Sequence, residues 1–354
     1  MVRGGGLEPP QYCYRQDLNL VRLPISPPAQ TNKIRGSGSG TKTPETTTPH
    51  PKRSALDFNL SASPFSANKN RPLTQATIQD VTHYENFPVA SILCPPRFRP
   101  AIVALYWFAR TADDIADEGE ASAEQRLAAL AAFRADLYAV LAGHSPSQRW
   151  PLVFEPLSRA IHHFSLPASL LEDLLDAFVQ DVVKTRDQSG YANQAELLAY
   201  CRLSANPVGR LLLHLYGVQQ PNALALSDDI CTALQLINFW QDLSRDIPRG
   251  RHYLPTQDCE QHQVDRAGLE SRVQSANITN LIAMQTRLAR VRMVQGSPLV
   301  KLIPGRAGWE LRLVVQGGLR ILDKIETLQF ATLTQRTRLR VWDAPLLLWR
   351  ALWM

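Results

Sequence analysis

From about Thr77 to the C-terminus, apolar positions recur every three or four residues, in long segments broken at Pro or Gly. That spacing puts the apolar side chains on one face of a helix. "SAEQRLAALAAFRADLYAVLAG" opens on Ser122 with Gln125 three residues on, a capping-box pattern, and closes at Gly143. In "PASLLEDLLDAFVQDVVKTR", Leu170, Leu171, Leu174, Leu175, Phe178, Val179 and Val182 share a face. "SDDICTALQLINFWQDLSRDI" reads as another helix with Ser227 and Asp228 as cap candidates, and "GWELRLVVQGGLRILDKIETL" as one with a Gly pair in its middle. No segment alternates with strand period between turn signals, and no repeat recurs at a fixed period. The pattern predicts an all-α fold, a single helical domain over residues 76–354.

The first 75 residues differ in kind. Residues 1–70 carry nine Pro and six Gly, a "GSGSG" run and the tract "TKTPETTTPHPKRS". Such a composition offers too little apolar surface to offset the entropy of ordering, so a disordered extension is expected. "GGLEPPQYCYRQDLNL" resembles a translation begun too early across a transfer-RNA gene, and the natural product is expected to start near residues 55–81. The segment lacks the apolar middle and small-residue cleavage site of a secretory signal.

Charge changes the picture less than it first promises. The net charge is +6, but residues 1–70 hold nine Lys/Arg against four Asp/Glu, so about +5 of it sits in the extension. The helical part is near neutral and no nucleic-acid partner is expected. Five Cys without a C-x-x-C pair suit free thiols in a reducing compartment. No run approaches the roughly 18 apolar residues of a membrane span.

Candidate chemistry lies in two acidic stretches. "AIVALYWFA" (101–109) is apolar enough for a core, yet it runs straight into "RTADDIADE" (110–118). Asp113 and Asp117 are four residues apart and share a helix face, with Arg110 one turn earlier. Asp114 lies off that face and is left to solvent or to Arg110. In "QLINFWQDLSRDIPRGRHYLP", Gln235, Asn238, Asp242 and Asp246 follow at steps of three, four and four. They form a polar stripe about 16 Å long among apolar Leu234, Leu236, Ile237, Phe239, Trp240 and Leu243. An amide and two carboxylates facing inward need partners. Mg²⁺ suits them, since it takes oxygen ligands and is usually held by one or two carboxylates plus substrate phosphates. Two such helices facing each other could grip a diphosphate through several Mg²⁺ ions, with Arg110, Arg245, Arg249 and Arg251 nearby. The helix bearing Asp113 and Asp117 is expected to continue inward, into a cavity. Of the other acids, Asp173 and Asp176 read as solvated and Asp181 as able to approach the site. There is no Glu-x-x-His pair for di-iron, no EF-hand loop, no P-loop and no G-x-G-x-x-G after a strand, so no nicotinamide cofactor is expected.

"RTADDIAD" and "NFWQDLSRD" followed by "RGRHYLP" resemble the two aspartate-rich motifs of the squalene/phytoene synthase family. "YCRLSANPVG" (200–209) is similar to that family's Y-C-x-x-V-A-x-x-V-G stretch, departing at Ser204 and at Asn206–Pro207. "HYENFP" matches the segment carrying His83 and Phe87. The resemblance implies an isoprenoid-synthase helical bundle with a central active-site cavity, Mg²⁺ and a prenyl diphosphate substrate. It implies metal ligation by Asp113, Asp117, Asn238, Asp242 and Asp246, with Tyr200 joining the four aspartates in catalysis. Substrate contacts are implied for His83, Phe87, Tyr106, Arg110, Ala205, Gly209, Gln235, Asn238, Arg251 and Tyr253. Tyr106, Phe87, Tyr200 and Phe239 could instead be core aromatics, and Ala205 and Gly209, which could thin a helix beside the substrate chains, could serve close packing. "ENFPVAS", "SANPVGRLLLHLYG" and "GWELRLVVQGGLRILDKIE" look like the hydroxysqualene synthase branch of bacterial hopanoid pathways. That likeness implies presqualene diphosphate as substrate, a bacterial cytoplasmic location and hand-over to a squalene-forming flavoenzyme. Condensation of two farnesyl or geranylgeranyl diphosphates is the alternative reaction, and a non-catalytic assembly protein the alternative class. The Trp- and Leu-rich ending "DAPLLLWRALWM" suits either packing on the bundle or peripheral docking at the inner face of the membrane.

Overall fold

A computed structural model describes residues 94–354; the expected extension, His83 and Phe87 lie outside the described residues. The described chain is all-α, with no strand among its residues. Twelve α-helices follow one another: α1 Arg99–Asp117, α2 Ala123–Leu141, α3 Pro151–Phe164, α4 Ala168–Arg186, α5 Gln194–Ser204, α6 Asn206–Leu215, α7 Pro221–Asp246, α8 Thr256–Gln261, α9 Arg266–Glu270, α10 Ala276–Gly296, α11 Gly305–Thr327 and α12 Ala344–Leu352. None of them is long and apolar enough to cross a membrane.

Local chemistry explains most of the boundaries. The Ser122 hydroxyl accepts from the Gln125 N–H while the Gln125 side chain accepts from the Ser122 N–H, completing the expected capping box of α2. Pro stands in the first turn of α1, α3, α6 and α7, where its missing N–H is no loss. That device corrects one expectation. Ser227 and Asp228 do not cap α7, because Pro221 starts the helix six residues earlier. Asp228 instead receives two bonds from Arg210 of α6, at 2.9 and 2.6 Å, and Ser227 is buried.

Two apolar cores form the interior. One joins α1 to α4, with Phe108, Phe133 and Phe154 in mutual ring contact and Trp150 edge-on to Phe133. The other surrounds α7, whose Leu236, Ile237, Phe239 and Trp240 are inaccessible to solvent. Helix α7 packs against α5, α6, α10 and α11, and α1 against α2, α3 and α4. Two glycines permit close approaches between helices. A Cβ on Gly318 of α11 would fall 2.7 Å from the Met293 Cε, and one on Gly209 of α6 would fall 2.4 Å from the Ser227 Oγ and 2.5 Å from the Cys231 Sγ. Cys94, Cys201, Cys231 and Cys259 are buried free thiols.

Candidate active site

Between the two cores lies a cavity of about 250 Å³, a little below the usual range for ligand pockets. Helix α1 contributes Asp113 and Asp117 to its wall, α4 Asp181, α5 Tyr200 and Ser204, α7 Gln235, and the loop after α7 Arg251.

Helix α1 reaches this cavity but does not run through it. It ends at Asp117, Glu118 is already extended, and Gly119 turns the chain at φ 77°. Arg126 of α2 secures the end by donating to the carbonyls of Ile115, Glu118, Gly119 and Ala121 at 2.8–3.1 Å. Carbonyls at a helix end lack intrahelical partners, and one guanidinium supplies several here. Nothing in the local pattern marked Arg126 for this role.

Asp113 is 5% exposed. Burial pushes its carboxyl up to about 7, against the opposing pull of Arg110. The Arg110 guanidinium lies 3.4 Å from Asp113, 2.6 Å from Asp114 and 3.0 Å from Glu118. Asp114 thus takes the position off the cavity face that its spacing suggested. Asp117 pairs with Arg251. The Arg251 backbone N–H donates to the Asp246 carbonyl at 3.0 Å, so one residue ties the end of α1 to the end of α7.

Gln235, Asn238, Asp242 and Asp246 are all buried along α7. Gln235 is 1% exposed, and neither of its amide atoms has a hydrogen-bond partner; the Asn238 Oδ1 also lacks one. Leaving a buried polar group unpaired costs about 1–3 kcal/mol, so these amides are set for a ligand that the protein itself does not supply. Asp242 is held bidentately by Arg336, from the segment after α11 and 94 residues distant in sequence. No feature of the sequence near Arg336 pointed to it. Among the described residues no three His, Cys, Asp or Glu side chains converge as a preformed metal cage. An all-oxygen donor set spread over two helices, with orphaned amides between, fits Mg²⁺ whose coordination is shared with a bound anion.

The Tyr200 hydroxyl donates to the Asp181 Oδ2 at 2.7 Å, on the wall facing α1. Burial raises the Asp181 carboxyl to about 7, with the Tyr200 bond pulling it down. Its native form therefore binds a proton more tightly than the unfolded chain does. The stability it confers is present below the ordinary carboxylate range and is lost as pH rises toward about 7. Asp181→Asn should flatten the fall in urea midpoint between about pH 5 and pH 7 in metal-free buffer. An unchanged slope would show that Asp181 does not carry that proton.

Several residues matched by resemblance stand elsewhere. Gly209 faces Ser227 and Cys231 of α7, so it serves helix packing and not the cavity. Ala205 is fully buried at the break between α5 and α6, which Pro207 helps to enforce. Tyr106 rests edge-on against Trp107, outside the cavity wall of the described residues. Tyr253 is buried and stacks on Phe239 with ring centroids 3.8 Å apart. It backs the site from behind. Burial drives its hydroxyl well above the usual phenol range, Asp181, Asp246 and Asp113 add to the rise, and Arg251 opposes them. Both acidic helices thus act on one phenol.

Comparison with known proteins adds to this geometry. The squalene/phytoene synthase family profile matches residues 81–343. A hydroxysqualene synthase of Zymomonas mobilis is 40% identical over 200 residues, 54% of this chain and 62% of that protein. The match thus spans less than two thirds of that relative's length. A hydroxysqualene synthase of Rhodopseudomonas palustris is 34% identical over 247 residues, 69% of this chain and 80% of its own. The crystal structure of a squalene synthase, HpnC, from Alicyclobacillus acidocaldarius superposes with a TM-score of 0.65 at 33% identity. It covers 72% of this chain and 93% of that one.

Proposed function

Because the chain belongs to the squalene/phytoene synthase family, we propose that it converts presqualene diphosphate to hydroxysqualene with release of diphosphate. The observation that carries this reading is a single cavity on whose wall α1 sets Asp113 and Asp117, α4 sets Asp181 and α7 sets the unpartnered Gln235 amide, with Asn238, Asp242 and Asp246 further along α7 and off that wall. Two relatives bearing the name hydroxysqualene synthase support the finer choice of reaction.

In this reading Asp113, Asp117, Asn238, Asp242 and Asp246 would hold Mg²⁺ together with the diphosphate. Bound there, the metal would supply neutralisation of the negative charge that grows on diphosphate as it leaves. Arg110 and Arg251 orient the diphosphate oxygens, and the Gln235 amide N–H completes the donor set. Leu174, Phe178 and Val182 keep water from the hydrocarbon beside the cationic carbon. The carbon–oxygen bond to diphosphate breaks with its electron pair leaving on diphosphate. The cyclopropylcarbinyl cation rearranges with opening of the three-membered ring, and water adds through an oxygen lone pair, forming one C–O bond. The proton it sheds passes to Asp181, whose Oδ2 is held by Tyr200. The alcohol would pass to a separate reducing flavoenzyme.

Mass spectrometry of products tests the reaction. With Mg²⁺ and presqualene diphosphate, hydroxysqualene carrying one oxygen from labelled water is expected, while farnesyl diphosphate alone remains unconsumed. Presqualene diphosphate or a phytoene-type hydrocarbon from farnesyl diphosphate alone would make the protein a condensing enzyme. Inertness toward both would favour an assembly protein. Asp181→Asn should lower the alcohol's share of the products while diphosphate release persists; an unaltered product ratio would remove Asp181 as the base.

A further inference from the structure

Helix α12 is apolar on two faces, and only one of them is covered. Leu347 and Ala351 are buried toward the bundle. α12 lies antiparallel along α11: Arg320 and Lys324 reach Asp343 just before its start, and Arg312 donates to the Ala351 carbonyl near its end. On the opposite side Leu348, Trp349, Leu352 and Trp353 are 53%, 60%, 58% and 76% exposed. Their spacing of one, three and one residues keeps them on one helical face. Just upstream Trp342 is 68% exposed. Solvating three indoles and two leucines in one short segment is unfavourable. Trp349 and Trp353 lie with ring centroids 5.7 Å apart, and exposed apolar clustering of this kind marks a surface that meets something.

The charges around the patch are mainly positive, and the acids beside it, Asp323 and Glu326 of α11, are paired with Arg350 and Arg290. After Glu326 the chain has four Arg and a single acid, Asp343. Asp343 is 1% exposed and is already engaged by Arg320 at 2.9 Å and Lys324 at 2.6 Å, so it presents no negative charge outward. Arg350 is pinned to Asp323 at 2.7 Å. Arg338 and Arg340 are exposed, and the Arg340 guanidinium lies 4.9 Å from the centre of the Trp342 ring. Exposed indoles and leucines flanked by the exposed Arg338 and Arg340, with the neighbouring acids already ion-paired, complement a layer of acidic headgroups over hydrocarbon. Indole rings settle at headgroup depth, and guanidinium groups meet lipid phosphates. With nine residues α12 is about 14 Å long, far short of a bilayer's hydrocarbon core. It can lie on a membrane but cannot span one.

We propose that the outward face of α12, together with Trp342, Arg338 and Arg340, docks this protein on an anionic lipid surface. The proposal is independent of the reaction assigned to the cavity. Sedimentation of the full chain with vesicles of phosphatidylcholine containing about 30% phosphatidylglycerol tests it. The wild type should bind these vesicles at least about tenfold more tightly than pure phosphatidylcholine, with the difference shrinking as salt is raised. Trp349→Ser combined with Trp353→Ser should weaken binding about tenfold or more. Arg338→Gln combined with Arg340→Gln should weaken binding to the acidic vesicles only. Because all four side chains are exposed, circular dichroism and Tm should stay at wild-type values, which separates lost docking from lost fold. Brominated lipid should quench wild-type tryptophan emission and leave the double Trp variant little affected. Absence of wild-type binding, or undiminished binding of the Trp variant, overturns the proposal. A wild-type dimer that the Trp substitutions convert to monomer, with no vesicle binding, would mean that a second copy covers the face.

Discussion

Asp113→Asn and Asp242→Asn are each expected to reduce Mg²⁺-dependent turnover by about a thousandfold or more, equivalent to roughly 4 kcal/mol of lost transition-state stabilisation. The two aspartates stand on different helices, α1 and α7, so the variants probe the two halves of the site separately. An amide keeps the shape of the side chain but brings no negative charge to a divalent cation. The fold should survive in both. At position 113 the substitution removes a carboxyl that burial already disfavours as an anion, and a neutral amide is cheaper to bury than a charge. At position 242 it weakens the bond to Arg336 but leaves the packed flanks of α7 intact. Unchanged helical dichroism with activity lost is the predicted pair of results. Full activity in either variant would remove that aspartate from the mechanism.

Phe239→Ala should act in the opposite way, through stability first. Phe239 is inaccessible to solvent, lies 3.8 Å from the Tyr253 ring in a parallel stack, and is within 6.2 Å of Tyr200. Truncating a buried Phe to Ala costs roughly 3–5 kcal/mol through lost burial and the cavity left behind. For a domain of this size that is a fall in Tm of about 5–9 °C. Catalysis should suffer as well, because Tyr200 and Tyr253 would lose the wall that holds their rings beside Asp181 and the acidic helices. Phe239→Leu refills much of the volume and should restore most of the stability, leaving a smaller defect in turnover. Differential scanning calorimetry of the three proteins checks the order. A Phe239→Ala variant as stable as the wild type would mean that the aromatic cluster is not part of the packed core.

Much of this architecture is legible in one dimension because helices are periodic. The Ser122–Gln125 capping box, the apolar face of α4 and the i, i+4 placement of Asp113 and Asp117 follow from a repeat of about 3.6 residues, and the structure repeats them. The inward stripe of α7 was readable for the same reason. Polar residues at steps of three and four among apolar flanks must share the buried side.

Other features were beyond such a reading. Ser227 has the chemistry of a helix cap, but Pro221 upstream started the helix first and the chain carried Ser227 inward. Gly209 has no side chain to declare what it touches; only the position of α7 shows that Ser227 and Cys231 occupy the space where its Cβ would be. The aromatic residues Tyr106, Tyr200 and Tyr253 are alike in sequence, yet only Tyr200 reaches the cavity wall formed by the described residues.

By itself, then, the sequence determined the helical class, the faces on which the acids stand, and the family to which the chain belongs. Each of those depends on residues within a few turns of one another, or on motifs in fixed order. Only the tertiary structure decided that Arg251 ties Asp117 to the end of α7, that Arg336 grips Asp242, that Tyr200 holds Asp181, and which face of α12 remains uncovered. Helical period sets the direction of a side chain from its own axis. Its partner depends on how distant helices pack, and no local spacing encodes a meeting between residues 94 positions apart.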